Sequence, residues 1–527
     1  MKAQTASALP LITLDSWDQI FNRKALYQLE PILPKFVAER RWFRSKARAI
    51  QCIAVSDAIP VPAADSCVLV LRVQYADEGC DHYLLPLSVA AHTDSDELLA
   101  KVAGPDGPEK TLYGALTNAK FRDALLNAIR SEEKFEGHNG EFIASRTRAF
   151  EEQAASTIDS FVSRAEQSNT SVIYRDHYIL KLFRKIEPGI NPDVEIGAFL
   201  TAQGFKHTPA VLGALTYRAK GGDAMTEYAA GMLQTFVPNE GDAWKYTLES
   251  LTGFFDRTPN RPAPQHPHHP FELLDQPMPT DARELLGDYA DSARLLGKRT
   301  AEMHAALTDS NTSSDFAPEP FTEEDAEMLY EELLGQADIT FELLRRKEAA
   351  LTGEAAEAAR NLLKIEHRVT ERFAALRNRR FDASRIRYHG DYHLGQVLHT
   401  GSDFMIIDFE GEPMRPLAHR RTKTLAMRDV AGMIRSFQYA AYSAPNASSA
   451  NAESYADYWT AWVSATYLNA YFEEGSGHPF VPQERDERKI LFDAFLLQKA
   501  LYEVAYELNN RPDWVRIPLR GILSLMA

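Results

Sequence analysis

The sequence predicts an α+β protein of two lobes with a further piece at its amino end. Three observations predict it. At 527 residues the chain exceeds what one compact core holds, so two or three packed units are expected. Its front part alternates short β-branched and aromatic runs with turn residues. From about residue 238 onward helical periodicity dominates. The expected divisions are an amino-terminal piece at 1–90, an intermediate region carrying a sheet at 91–237, and a helical lobe at 238–527.

Composition narrows the classes of partner. Hydrophobic residues make up 45% of the chain and aromatics 10%, ample for burial. The balance of 58 basic against 74 acidic residues leaves a net charge of −16. Nucleic acid and anionic membrane surfaces are bound through basic patches, so neither is expected as a partner. Cys52, Cys67 and Cys80 are too few and too odd for a disulfide framework, which fits a reducing cytoplasm. Cys80 and His82 lack the paired Cys-x-x-Cys unit of a structural zinc site. The first residues contain no apolar run of signal-peptide length and no stretch approaches a membrane span, so a soluble cytoplasmic protein is expected.

In chain order, residues 17–32 read as a helix and 40–46 as a basic-aromatic string. Residues 66–73 and 82–87 read as strands, with Asp77, Glu78 and Gly79 turning between them. Residues 172–183 form an expected hairpin turning near Arg175 and Asp176, on which Lys181 points away from Leu180 and Leu182. A helix follows, with Asn191 as its cap and Pro192 as its first residue. Glu195 in its first turns is placed to reach back to Lys181. Ahead of the hairpin no glycine-rich phosphate loop appears; the hydroxyls and amides of Ser168, Asn169, Thr170 and Ser171 stand there instead. Residues 232–238 read as a strand running into a hinge, its backbone from Gln234 to Val237 placed to read adenine. Long helices are expected over 282–307 and 323–373. The segment 259–279, with His266, His268 and His269 among many prolines, reads as a stiffened surface insertion, because no carboxylate or cysteine spacing supports a metal.

Chemistry concentrates between His389 and Glu410. Residues 397–399 and 404–407 read as short strands about a Gly-Ser-Asp turn, which sets Gln396 and Asp408 side by side at one end of a hairpin. Asp391, on the loop before it, faces both. Phosphoryl transfer needs a carboxylate to orient the attacking hydroxyl and oxygen ligands to hold Mg²⁺ against nucleotide phosphates. Gln396 follows Asp391 by five residues and Asp408-Phe409 follows the hairpin, the spacing that protein kinases use. Glu410, in place of a glycine, adds a further carboxylate. These residues point to an ATP-dependent kinase of a small molecule.

Four stretches then carry a more specific likeness: Arg41-Trp42-Phe43 with Ser45-Lys46; residues 168–171 with 180–184; residues 389–412; and residues 499–518. On these the chain resembles the bacterial maltokinases, which transfer phosphate from ATP to the anomeric hydroxyl of maltose. The two middle stretches are shared in outline with aminoglycoside phosphotransferases. The resemblance implies a bilobal protein-kinase-like fold with an amino-terminal cap near Trp42, and ATP with Mg²⁺ as cofactors. It implies Asp391 as catalytic base, Gln396 and Asp408 as metal ligands, and Lys181 with Glu195 at the phosphates. His389, Lys499, Tyr502 and Tyr506 would line the disaccharide pocket, and Arg421, beside Arg415, Arg420 and Lys423, would border its phosphate end. Offsets of three and four place Lys499, Tyr502 and Tyr506 on one helix face, with flat rings and hydroxyls suited to sugar. Residues 43–47 lack the family's glycines and residues 424–426 its Ser-Pro, but no proposed catalytic residue is lost. Other acceptors on the same fold are glucosamine, another glucoside or an aminoglycoside. A silent module partnering trehalose synthase is the reading from a different class.

Overall fold

A computed structural model describes residues 9–526 apart from 106, 151–157, 164–168, 222–223, 259–262, 266–268, 309–312 and 445–450. The chain forms two units, Met1–Ala202 with Pro209–Pro238, and Gln203–Thr208 with Asn239–Ala527.

The first unit is built on two sheets. One contains β1 (Leu11–Thr13), β2 (Ile50–Val61), β3 (Ser66–Tyr75), β4 (Cys80–Ala90), β5 (Leu98–Ala103) and β6 (Lys110–Gly114). Its order is β1-β5-β6-β4-β3-β2, with β1 parallel to β5 and the other pairs antiparallel. The other contains β7 (Lys134–Glu136), β8 (Gly140–Arg146), β9 (Ser160–Val162), β10 (Thr170–Tyr174) and β11 (Tyr178–Leu182). The short β12 (Lys185–Ile186) returns to pair with β4, and β13 (Val211–Gly221) and β14 (Ala224–Thr235) complete the second sheet in the order β7-β8-β13-β14-β11-β10-β9.

The near-continuous apolar run of β3 has a physical reason. Its side chains alternate between two cores, so both faces are buried. Leu69, Leu71 and Val73 join Leu26, Leu33, Trp42 and Phe43 on one side. Val68 and Val70 join Phe121, Leu125 and Val172 on the other. The expected helix over 17–32 is instead broken into a 3₁₀ turn at Trp17–Gln19 and helices Arg23–Leu29 and Leu33–Ala38. Asn22 caps the first helix by accepting the Ala25 N–H at 3.0 Å, and Pro31 lacks the donor needed to carry the helix through.

A buried carboxylate ties the two sheets together. Asp57 on β2 is 2% exposed and accepts the N–H groups of Ala58, His138 and Asn139 at 2.8, 2.8 and 3.0 Å, and the Tyr217 hydroxyl at 2.9 Å. Asp57→Ala leaves the tyrosine and two turn amides without an acceptor, at a cost of about 3 kcal/mol. Urea unfolding should show that loss, with Asp57→Asn falling between it and the wild type.

The second unit is mainly helical. The helix expected over 282–307 is interrupted at Gly287, whose φ of +57° ends Thr280–Leu286 before Tyr289–Ala306 begins. The one expected over 323–373 divides into Glu323–Lys347, Gly353–Lys364 and Glu366–Phe373. Thr322 opens the first of these with a capping box to Asp325. The helix Tyr289–Ala306 lies against Ala452–Glu474, and a Cβ at Gly297 would run into the Tyr467 carbonyl oxygen. In the proline-rich insertion His269 is a docking residue: its Nε2 lies 2.6 Å from Asp493 and its Nδ1 accepts the Phe271 N–H at 3.2 Å. His266 and His268 lie outside the described residues. Among the described residues no helix is long and apolar enough to cross a membrane.

Candidate active site

The loop carrying Asp391 is held by one face of the helix Met427–Ser443. Asp429, 2% exposed, accepts the backbone N–H of His389 at 2.7 Å and of Gly390 at 3.0 Å. Three residues on, Gly432 lets the Tyr392 carbonyl approach where a Cβ would clash. Four further on, the Ser436 hydroxyl accepts the Leu394 N–H at 3.1 Å. The spacing of three and four puts these three residues on one helical face, cut to receive the loop. His304 Nε2 lies 3.0 Å from the Asp429 carboxylate. Burial works against ionised Asp429, but above all the hydrogen bond and charge of His304, with the Gly390 N–H, outweigh it, so its pKa lies below the ordinary carboxylate value.

His389, expected at the sugar, is engaged within the protein. It is 1% exposed, its Nε2 donates to the Ile407 carbonyl at 2.9 Å, and its Nδ1 accepts the Asp391 N–H at 3.3 Å. Both ring nitrogens are thus committed within the protein, and the ring braces the loop against the hairpin.

The hairpin pairs Val397–His399 with Phe404–Ile406 in the register Val397↔Ile406, Leu398↔Met405 and His399↔Phe404. The Ile407 N–H then donates to the Gln396 carbonyl at 3.0 Å, closing the end of the ladder. There the Gln396 amide Nε2 donates to Asp408 Oδ2 at 2.9 Å, which leaves the amide oxygen as an acceptor. Asp408 holds a φ of +67°, a conformation costly for a residue with a Cβ and characteristic of functional sites. Carboxylate oxygens of Asp408 and Glu410 lie within 4.8 Å of each other. Two carboxylates and an amide oxygen are the hard donors that Mg²⁺ takes, so the residues fit that ion.

Asp391 faces the helix Arg485–Asn510. Lys499 Nζ lies 3.8 Å from its Oδ1, and His393 Nε2 lies 4.0 Å from its Oδ2. His393 Nδ1 accepts the Gly395 N–H at 3.0 Å. Burial above all, with the charge of Lys499, lowers the His393 pKa despite Asp391. Two adjoining cavities open here and share Lys499, Tyr502 and Gly432. The smaller, about 30 Å³, is lined by Asp391, Glu412, Arg415 and Arg428. The larger, about 500 Å³, is lined by Trp244, Tyr439, Tyr506 and Trp514. Tyr502 and Tyr506 lie with ring centroids 6.4 Å apart and planes within 24°, and the Lys499 ammonium is 5.2 Å from the Tyr502 ring. Burial, with the charges of Glu412 and Asp391, pushes the Tyr502 phenol up to about 12, so it remains a hydroxyl donor. Arg421, expected here, pairs with Asp315 at 3.8 Å; the basic residue of that stretch that lines the smaller cavity is Arg415.

In the first unit Lys181 on β11 is held at 2.8 Å by Asp193, 1% exposed in the first turn of the helix Pro192–Ala202. Asn191 caps that helix through the Asp193 N–H at 2.8 Å. Glu195, expected at Lys181, is half-buried two residues along the same helix; Asp193 is the acid that sequence reading missed. The signal for it was available: an acid in the first turn, whose Cβ leans back toward the strand. Thr170 Oγ accepts from Arg184 Nε at 2.9 Å, and Asn169 and Ser171 are buried. Gln234 lies on β14 opposite Ile179, and Val237 follows the strand's end. Ser168 lies outside the described residues. Sequence reading also missed Asp429, Glu412 and the aromatics of the larger cavity.

Residues 36–117 match the family model of the maltokinase N-terminal cap domain. A glucosamine kinase of Mycolicibacterium smegmatis (strain ATCC 700084 / mc(2)155) is 24% identical over 363 residues, covering 68% of this chain and 78% of that protein. One from Streptacidiphilus jiangxiensis is 24% identical over 374 residues, covering 68% and 72%. A solved structure of a glucosamine kinase with glucosamine, ADP and inorganic phosphate matches with a TM-score of 0.60 at 18% identity, over 94% of this chain and 99% of that one. The fold is therefore the α+β, aminoglycoside phosphotransferase-like kinase fold. Residues 36–117 match the maltokinase-type cap, as the resemblance implied for the segment near Trp42.

Proposed function

We propose that the protein is an ATP-dependent sugar kinase that phosphorylates the anomeric hydroxyl of maltose. One observation carries the kinase reading. The carboxylate of Asp391 lines the smaller cavity, which shares Lys499 and Tyr502 with the aromatic-lined one, and it stands on the loop that leads into the hairpin joining Gln396 to Asp408. In this reading the acceptor hydroxyl lies against Asp391, which takes its proton as the phosphoryl group arrives. Lys499 stands 3.8 Å from that carboxylate, and Tyr502 offers a ring face and a hydroxyl to the sugar. Gln396, Asp408 and Glu410 would hold Mg²⁺, which supplies charge neutralisation at the nucleotide phosphates. Within the first unit Lys181, held in place by Asp193, is read as a phosphate-binding residue, with Asn169, Thr170 and Ser171 beside it.

Maltose as acceptor is supported by the cap over residues 36–117 and by the motif over 499–518. Glucosamine is the second reading, favoured by the names of the relatives matched over two thirds of the chain. A coupled ADP-release assay comparing maltose, glucose and glucosamine decides between them. Maltose should give the highest kcat/KM, with a 1-phosphate as product; a clear preference for glucosamine sinks the maltose assignment, and no turnover with any sugar sinks the kinase.

A further inference from the structure

Two buried charges beside the site have no part in the chemistry described above. Arg435 is 1% exposed on the helix Met427–Ser443, and Glu503 is 9% exposed on the helix Arg485–Asn510. The guanidinium Nε and Nη2 stand 2.8 and 2.6 Å from one carboxylate oxygen, Oε2 of Glu503. Nη1 donates to Gln438 Oε1, and Gly521 leaves the space that the guanidinium fills, since a Cβ there would run into it. Taking two charges out of water gains little stability over apolar side chains of the same volume. What such a pair can supply instead is a single alignment of the elements that carry it.

A second contact shows which alignment that is. One turn on, the Tyr439 hydroxyl donates to Glu507 Oε1 at 3.2 Å. Both contacts join residues 68 positions apart, so the two helices run side by side in the same direction and in one register. Buried apolar residues such as Ile434 and Phe437 on one helix, and Leu501 and Val504 on the other, add area without selecting a register. A slip of one turn would set Arg435 against Glu507 in place of Glu503. That alternative is closed, because Arg511 takes both Glu507 oxygens, at 2.9 and 2.6 Å. The same two helices carry the site. Asp429, Gly432 and Ser436 on the first receive the Asp391 loop. On the second, Lys499, one turn before Glu503, puts its ammonium 3.8 Å from Asp391.

We propose that Arg435 and Glu503 are positioning residues that lock the register of these two helices and so hold Lys499 at Asp391. The inference rests on the kinase reading of Asp391. A slip of one turn would carry Lys499 about 5.4 Å along the helix axis. A misplacement of about 1 Å is already enough to cost up to about 10²-fold in rate.

The full chain carrying Arg435→Met and Glu503→Leu together replaces the pair by apolar side chains. This double variant should melt within about 5 °C of the wild type. It should nevertheless lose about tenfold in kcat/KM for the sugar that the wild type turns over. Introduced into Lys499→Ala, which already lacks the ammonium, the same two changes should cost only about twofold more. A merely structural pair gives the full tenfold loss in both backgrounds, and that outcome overturns the proposal, as does wild-type kcat/KM in the folded double variant. Where the apolar pair fails to fold, Glu503→Gln carries the same comparison, because the amide keeps the shape and removes the charge. If the wild type turns over no sugar, the kinase reading falls by itself. The register is then decided by a crystal structure of whichever variant folds: Lys499 displaced from Asp391 upholds the proposal, and the present separation of 3.8 Å overturns it.

Discussion

Asp391→Asn is expected to lower kcat by about 10³-fold while ADP still binds, because an amide cannot take the acceptor's proton. The substitution is nearly isosteric, and the loop around it is held by other atoms. His389 and Gly390 still donate to Asp429, and Leu394 still donates to Ser436. The Lys499 ammonium, 3.8 Å from Asp391 in the wild type, loses its charged neighbour at the surface of the cavity rather than in the core. Folding should therefore change little. The measurement is steady-state turnover with saturating sugar, beside ADP affinity by calorimetry. Turnover near the wild-type rate would remove Asp391 from the role of base.

Asp429→Ala is expected to damage both stability and activity. It removes the acceptor of two loop amides and leaves His304 without its carboxylate, all in a site closed to water. Breaking one partner of a buried, hydrogen-bonded charge costs about 3–5 kcal/mol. The loop carrying Asp391 then loses its register on the Met427–Ser443 helix, so kcat should fall by about 10²-fold even below the melting transition. The pH dependence has a definite sign. Asp429 has a folded pKa below its unfolded value of about 3.9. Its contribution is therefore fully present above the unfolded value and is lost as pH falls through the folded one. The stability gap between wild type and Asp429→Ala should be widest near neutral pH and narrow below about pH 4. A constant gap across that range would mean that the carboxylate's charge plays no part.

Much of this arrangement follows from local chemistry. The Gly-Ser-Asp turn between two three-residue strands is enough to bring Gln396 beside Asp408, because a hairpin's register is set by its loop. The spacing Lys499, Tyr502, Tyr506 is enough to put three side chains on one helical face. The interrupted helices at Pro31 and Gly287 show where periodicity misled: the apolar pattern continues, but a missing donor or a left-handed residue stops the backbone.

What the sequence determined by itself was the kinase-like class: the β-rich front, the helical back, and the order Asp391, Gln396, hairpin, Asp408. These depend on contacts between residues near one another in the chain. What only the tertiary structure decided was which neighbours those residues meet. It turned His389 inward as a brace, because both its ring nitrogens find partners in the fold. It set Asp193 on Lys181 and Asp429, 38 positions beyond Asp391, under the loop. It gathered Tyr439, Tyr506 and Trp514 around one cavity. Distant packing has no period and no spacing rule in the chain, so no local pattern announces it.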